Sequence, residues 1–436
     1  MEVLRSLLVI TLLGYTSAWY MQDRGSFPLN NAAFISVLHG KSASGGYDLV
    51  VSTFNAVPGT TDDVTVVRDV GSQLAGGAST FQLQTLASGL LWPNEIEEVP
   101  DEVFGTSGLW WVACGFLVPT KNDGYVAFIE NGNDNSVSPS EWYGVTETSA
   151  ENGVQDYFYH RSYFVDVDND GLMDMIAARV NVPTFGDTIS NLVFFKQPRS
   201  NALTTKWTER ILFEGPDSMF RYKEIPLQNG QNRYVILSTQ YFSEKLVISW
   251  ADGSSFAQAT GSGYLFNHRT IASVAGERYF DSEIVDLNGD GELDLLVTAN
   301  SDVNGKLLAF EVPWDSLFTG QFTRYLISEG YAPHGVITGE GAGSPGMSFS
   351  VFPSTEQVKS KPDIIMTGDD DSTVYLFEAN QQSNTADWTY TRNIIFQANR
   401  GTVGAPAARD VDGDGNVEIF IPAYSDGAVH VMTYIP

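Results

Sequence analysis

The chain has 436 residues, a formal net charge of −29 and 43% hydrophobic residues. So much negative charge argues against nucleic acid and anionic membrane surfaces as partners, since both would be repelled, and leaves cations as natural ones. With 41 glycines, only 18% charged residues and one cysteine, the composition favours an all-β chain of short strands and many turns that is stabilised without an internal disulfide.

Arg5, the apolar run Leu7–Leu13 and the small residues Thr16, Ser17 and Ala18 read as a signal peptide over residues 1–18, with the mature, secreted protein beginning at Trp19. The run is far shorter than the roughly 20 apolar residues of a membrane-spanning helix, and no other stretch qualifies. Next come the strand-like segments Phe34–Val37 and Tyr47–Ser52, then Gly108–Val112 and Tyr125–Glu130. Cys114 lies in an apolar stretch and reads as a buried structural thiol, because a nucleophile needs an accessible, electropositive setting.

Three segments further on share one template: Asp166 to Asp174, Asp286 to Asp294 and Asp410 to Glu418. Each sets oxygen-bearing side chains at positions 1, 3, 5 and 9 with glycine at position 6. A tight loop of this kind aims alternate carboxylates at one point, the residue at position 7 can offer its carbonyl, and glycine permits the bend. Calcium suits such a set better than magnesium, which keeps its waters. An EF-hand loop opens the same way but needs a glutamate at position 12 and flanking helices. Here position 12 is Ala177, Val297 or Ile421, inside a short apolar strand.

Each loop is followed by two strands, and after the first two loops comes an outer segment with an aromatic then a basic residue, Trp207 with Arg210 and Phe322 with Arg324. Such a four-stranded meander in tandem is a propeller blade. The loops start 120 and 124 residues apart, so each interval holds two units of about sixty residues. The intervening units run through Tyr222–Ile225, Arg233–Ser238 and Lys245–Trp250, and through Met347–Val351, Asp363–Thr367 and Thr373–Glu378. Asp363 stands where the loops end in a carboxylate, without the other loop acids. Seven units result, over residues 19–436. The last lacks an outer strand, and Trp19–Arg24 is placed to supply it and close the ring.

The loop, its apolar strand and the following strands Leu192–Phe195 or Leu307–Phe310 resemble the FG-GAP/VCBS repeat family, whose members include the seven-bladed heads of integrin α chains and fungal propeller lectins. The resemblance is strong in units 3, 5 and 7 and is one of pattern elsewhere; Gly404, Ala405 and Pro406 match a family signature. It implies three calcium sites, formed by Asp166, Asp168, Asp170 and Asp174; by Asp286, Asn288, Asp290 and Asp294; and by Asp410, Asp412, Asp414 and Glu418.

These features point to a non-catalytic extracellular binding module for a glycan or a protein. Surfaces for a ligand are expected on the insertions Val99 to Thr106, Glu147 to His160 and Ser328 to Gly346. Trp92, Trp142 and Trp314 are candidates for stacking on sugars, although blade packing explains them as well. Two alternatives are an acidic matrix or mineral-associated protein and a sugar-active hydrolase or lyase. Against an enzyme, the five histidines form no metal spacing, and there is no nucleophile elbow or phosphate-cradling loop. His160 with Arg161, and His334, are the histidine positions that merit inspection.

Overall fold

A computed structural model describes residues 20–40, 46–130, 139–152, 156–217, 219–227, 229–253, 266–334, 342–354 and 359–435. Residues 1–18, read above as a signal peptide, lie outside them. Seven four-stranded antiparallel sheets follow one another along the chain as blades 1 to 7. Their innermost strands are Ala32–His39, Pro93–Glu98, Phe158–Val165, Met219–Pro226, Arg278–Val285, Ser348–Val351 and Ala407–Arg409. The protein is therefore an all-β, seven-bladed propeller, as the repeats imply. Among the described residues no helix is long and apolar enough to cross a membrane.

The second strand of each blade is apolar on both faces because it is packed on both sides, and its period of two sends alternate residues to opposite neighbours. In Asp174–Asn181, Met175 and Ala177 pack towards blade 2, whereas Ile176 and Ala178 pack towards blade 4. Leu295 and Val297 face blade 4, and Leu296 faces blade 6. The core is thus a ring of inter-blade layers rather than one central mass. Cys114 lies in the layer between blades 1 and 2, where burial pushes its thiol far up.

Blade 7 is composite. Tyr20–Pro28 pairs antiparallel with Ala428–Ile435, Tyr20 opposite Ile435, and forms the outer strand. A second closure lies at the axis, where Ala405 of blade 7 exchanges backbone hydrogen bonds with Ala33 and Ile35 of blade 1 at 2.8 and 3.0 Å. A Cβ on Gly404 would stand 2.0 Å from the Ala33 carbonyl oxygen. Gly404→Ala is accordingly expected to cost about 1–3 kcal/mol by overpacking. Urea unfolding would measure it, and an unchanged midpoint would show that the seam yields.

Candidate ligand cup and cation loops

The loops joining first to second strands all leave on one face of the ring, and those joining second to third strands, with the blade-to-blade crossovers, leave on the other. The two faces carry different chemistry.

On the first face the three nine-residue loops adopt one conformation. The carboxylate at position 1 accepts from the backbone N–H at position 6, from Gly171 to Asp166, Gly291 to Asp286 and Gly415 to Asp410, at 2.9, 2.9 and 3.0 Å. The carboxylate at position 9 accepts from the N–H at position 2, from Val167, Leu287 and Val411, at 3.1, 3.0 and 3.1 Å. The φ of Gly171, Gly291 and Gly415 is 85°, 91° and 90°, and position 4 is also left-handed, with φ 60° at Asn169 and 75° at both Gly289 and Gly413. The restriction of position 4 to asparagine or glycine is a second signal in the sequence.

Asp166, Asp168 and Asp174 bring one carboxylate oxygen each to within 4.8 Å of one another, as do Asp410, Asp412 and Glu418. Burial, ahead of the neighbouring acids, pushes Asp174 up to about 6 and Asp294 and Glu418 up to about 7. Buried like charges of this kind suit a hard cation bound among them. The loops are not equal. In blade 3 the Lys196 ammonium bonds Asp168 and lies 2.8 Å from Asp170, with Arg199 3.0 Å from Asp170. In blade 5 position 3 is Asn288, whose Nδ2 donates to Asp290 at 2.9 Å.

Blades 1 and 6 show how such a site is dispensed with. Asp363, opening the second strand of blade 6, is met by the Lys359 ammonium at 2.6 Å, and Asp48 of blade 1 by Arg68 at 2.7 Å. In blade 2 the corresponding connection, Val99 to Thr106, is instead the short helix Asp101–Phe104, with Val103 packed between blades 2 and 3.

On the opposite face lies an axial cup of about 440 Å3 lined by residues of all seven blades. β-bulges re-aim side chains into it. The inner strands of blades 1, 2, 3 and 5 each slip register, at Ala33–Phe34, Asn94–Glu95, His160–Arg161 and Phe280–Asp281. The first bulge residue, or both, lines the cup, and its neighbour in blades 2, 3 and 5 forms the charged layer below. Phe34, Phe54, Phe116 and Phe158 supply an aromatic wall from blades 1 to 3, joined by Phe242 and Phe280. Blade 6, across the ring from blades 2 and 3, supplies Asp369 and Asp370.

The acids of the blade 6 turn differ in role. Asp370 accepts from Thr402 Oγ1 at 2.6 Å and from the Gly343 N–H at 3.1 Å. Asp371 accepts from Tyr375, Ser344 and the Thr373 N–H. Asp369, at φ 55°, has no side-chain hydrogen-bond partner among the described residues; burial, then Asp370 and Asp371, hold its carboxyl well above the usual range. His160 lines the same cup with its Nδ1 unpartnered, and burial pushes it down to about 3, so the ring is neutral. His334 stands at the margin, its backbone N–H donating to the Asp370 carbonyl at 2.7 Å.

The tryptophans serve packing. Trp92 reaches the cup but is sandwiched between Phe54 and Phe116, with ring centroids 4.6 and 5.0 Å away. Trp142 stacks on Tyr125, and Trp314 donates to the Leu293 carbonyl. Of the three insertions, Glu147 to His160 and Ser328 to Gly346 do lie on the cup face. Parts of both, residues 153–155 and 335–341, fall outside the described residues.

Fold and site together define a seven-bladed propeller with an aromatic-and-acid cup on one face and acidic loops on the other. No protein-family model and no curated protein matches the sequence. Among solved structures, the chain is similar to the S. cerevisiae core factor (10% identity, TM-score 0.48), covering 96% of this chain and 61% of that one. It is also similar to the Penicillium chrysogenum α-L-arabinanase complexed with arabinobiose (13% identity, TM-score 0.41, 96% and 98% covered) and to polysaccharide lyase Uly1 (11%, 0.41, 94% and 98%). At these values the likeness assigns neither ligand nor chemistry.

Proposed function

We propose that this chain is a secreted binding module of the FG-GAP/VCBS type, whose extracellular ligand, a glycan or a protein, seats a terminal group in the axial cup. The observation that carries the reading is the cup itself: rings and one unpaired carboxylate converge there from all seven blades, on a scaffold whose rigidity pre-organises them. Calcium in the loops of blades 3, 5 and 7 would neutralise the opposite face and stiffen it without touching the ligand. The acids of the cup share one wall opposite phenylalanines, an arrangement suited to holding a ligand rather than to general acid–base chemistry across a scissile bond.

A glycan array probed with the protein and with Phe280→Ala tests this. Phe280 is half-buried at the cup, so its loss is expected to weaken array binding at least about tenfold, the equivalent of 1.4 kcal/mol, with little change in melting temperature. Binding that persists in the variant would remove the cup from recognition. Cleavage of an arrayed sugar would favour the hydrolase or lyase alternative.

A further inference from the structure

We propose that the group received by the cup is an organic ammonium carried on an apolar body, with Asp369 as its counter-ion. This rests on the reading of the cup as a ligand site and specifies what that site selects.

Three observations converge on it. The cup is lined by aromatic rings from blades 1 to 3, and aromatic walls attract cations through the ring quadrupole, most strongly where water is excluded. The opposing wall carries three consecutive carboxylates, of which Asp370 and Asp371 are already satisfied by protein donors, so Asp369 alone is left to meet something from outside. Finally, no lysine or arginine is among the described residues lining the cup, and its histidine is neutral. A half-buried carboxylate at the wall of an apolar cup, without a positive partner, is costly and is relieved by a ligand that brings one.

The position of Asp369 is built into the fold. Its left-handed backbone is held by the Val403 N–H donating to its carbonyl at 3.0 Å. Gly346 leaves room beside it, since a Cβ there would come within 3.0 Å of the Asp369 Cβ. Other occupants fit less well. An anion meets Asp369, Asp370 and a protein of charge −29. A wholly neutral molecule leaves Asp369 unpaired. A metal ion needs several free oxygens, and those of Asp370 and Asp371 are taken.

Calorimetric titration of the protein with cyclohexylammonium and with cyclohexanol at neutral pH isolates the charge, because the two probes share a ring and differ in the head group. The ammonium is expected to bind roughly tenfold or more tightly than the alcohol. Asp369→Asn should reduce that ratio to within about twofold; asparagine tolerates the left-handed backbone, and an unchanged melting temperature would show the turn intact. Equal binding of both probes to the unsubstituted protein would overturn the ammonium assignment while leaving the cup a ligand site. Discrimination that survives Asp369→Asn would overturn the role of Asp369. Binding of neither would sink the ammonium proposal and, together with cup-independent array binding, the ligand-site reading as well.

Discussion

Arg161→Met is expected to lower the unfolding free energy by about 3–5 kcal/mol, the range for removing one member of a buried ion pair. Arg161 occupies the bulge of blade 3 directly below the cup and is almost fully buried. Its Nε and Nη2 donate to the two oxygens of Glu95 in blade 2 at 2.6 and 2.7 Å, a paired geometry that lysine cannot reproduce. Its Nη1 reaches the Phe220 carbonyl of blade 4 and Asp281 of blade 5, both at 3.3 Å. One guanidinium therefore links four successive blades across the axis. Methionine fills similar volume but leaves Asp281 with Arg221, 3.2 Å away, as its one ion-pair partner among the described residues, and strips from Glu95 the guanidinium that meets both of its oxygens. Adding Glu95→Gln to the variant should recover part of the loss, since one stranded charge disappears. Urea unfolding of the single and double variants measures both. A loss below about 1 kcal/mol would mean that channel water solvates these acids and that the layer is no clasp.

Calcium is expected to raise stability reversibly, and chelation to remove the gain. An ion that binds only the folded chain contributes RT ln(1 + [L]/Kd), about 2.7 kcal/mol per site at a hundredfold excess over Kd; extracellular modules hold calcium at roughly 10⁻⁴–10⁻³ M. The loops should rank by their own cations. Asp412→Ala and Asp290→Ala should each remove most of one site's share, whereas Asp168→Ala should remove least, because Lys196 and Arg199 already neutralise part of the blade 3 loop. Melting curves with chelator and with calcium restored provide the test. No response to calcium would make the three loops acidic turns, each held by its internal hydrogen bonds.

The parts of this architecture that were legible in the sequence are those that a short window encodes. Strand alternation and the aromatic-then-basic outer strand repeat about every sixty residues and the nine-residue loops at twice that interval, and together they disclose seven blades and the closing role of the first strand. Asp363 was visible as a carboxylate in the last position of the loop pattern without the other loop acids, and Lys359, four positions earlier, was the available hint of the cation that meets it. The cup was not legible. Its lining comes from bulges that break the alternation by one residue, as at Phe34 and His160, and from turns brought together only when the ring closes. The tryptophans divide between the two readings the sequence left open: Trp142 and Trp314 are packed within the blades, whereas Trp92 lines the cup while stacked between Phe54 and Phe116. Asp369 looks like any acid in a run of three until its neighbours are seen to be paired.

The pairing of Tyr20 with Ile435 also fixes an orientation. Both residues sit at the rim of the ring on the side of the acidic loops, the side opposite the cup. Anchored to a surface or fused to another module by either end, the propeller would present its cup to the surroundings unobstructed. Because Tyr20 and Ile435 are already paired, a short linker between them would let the chain be opened instead in a blade-to-blade crossover with every blade kept.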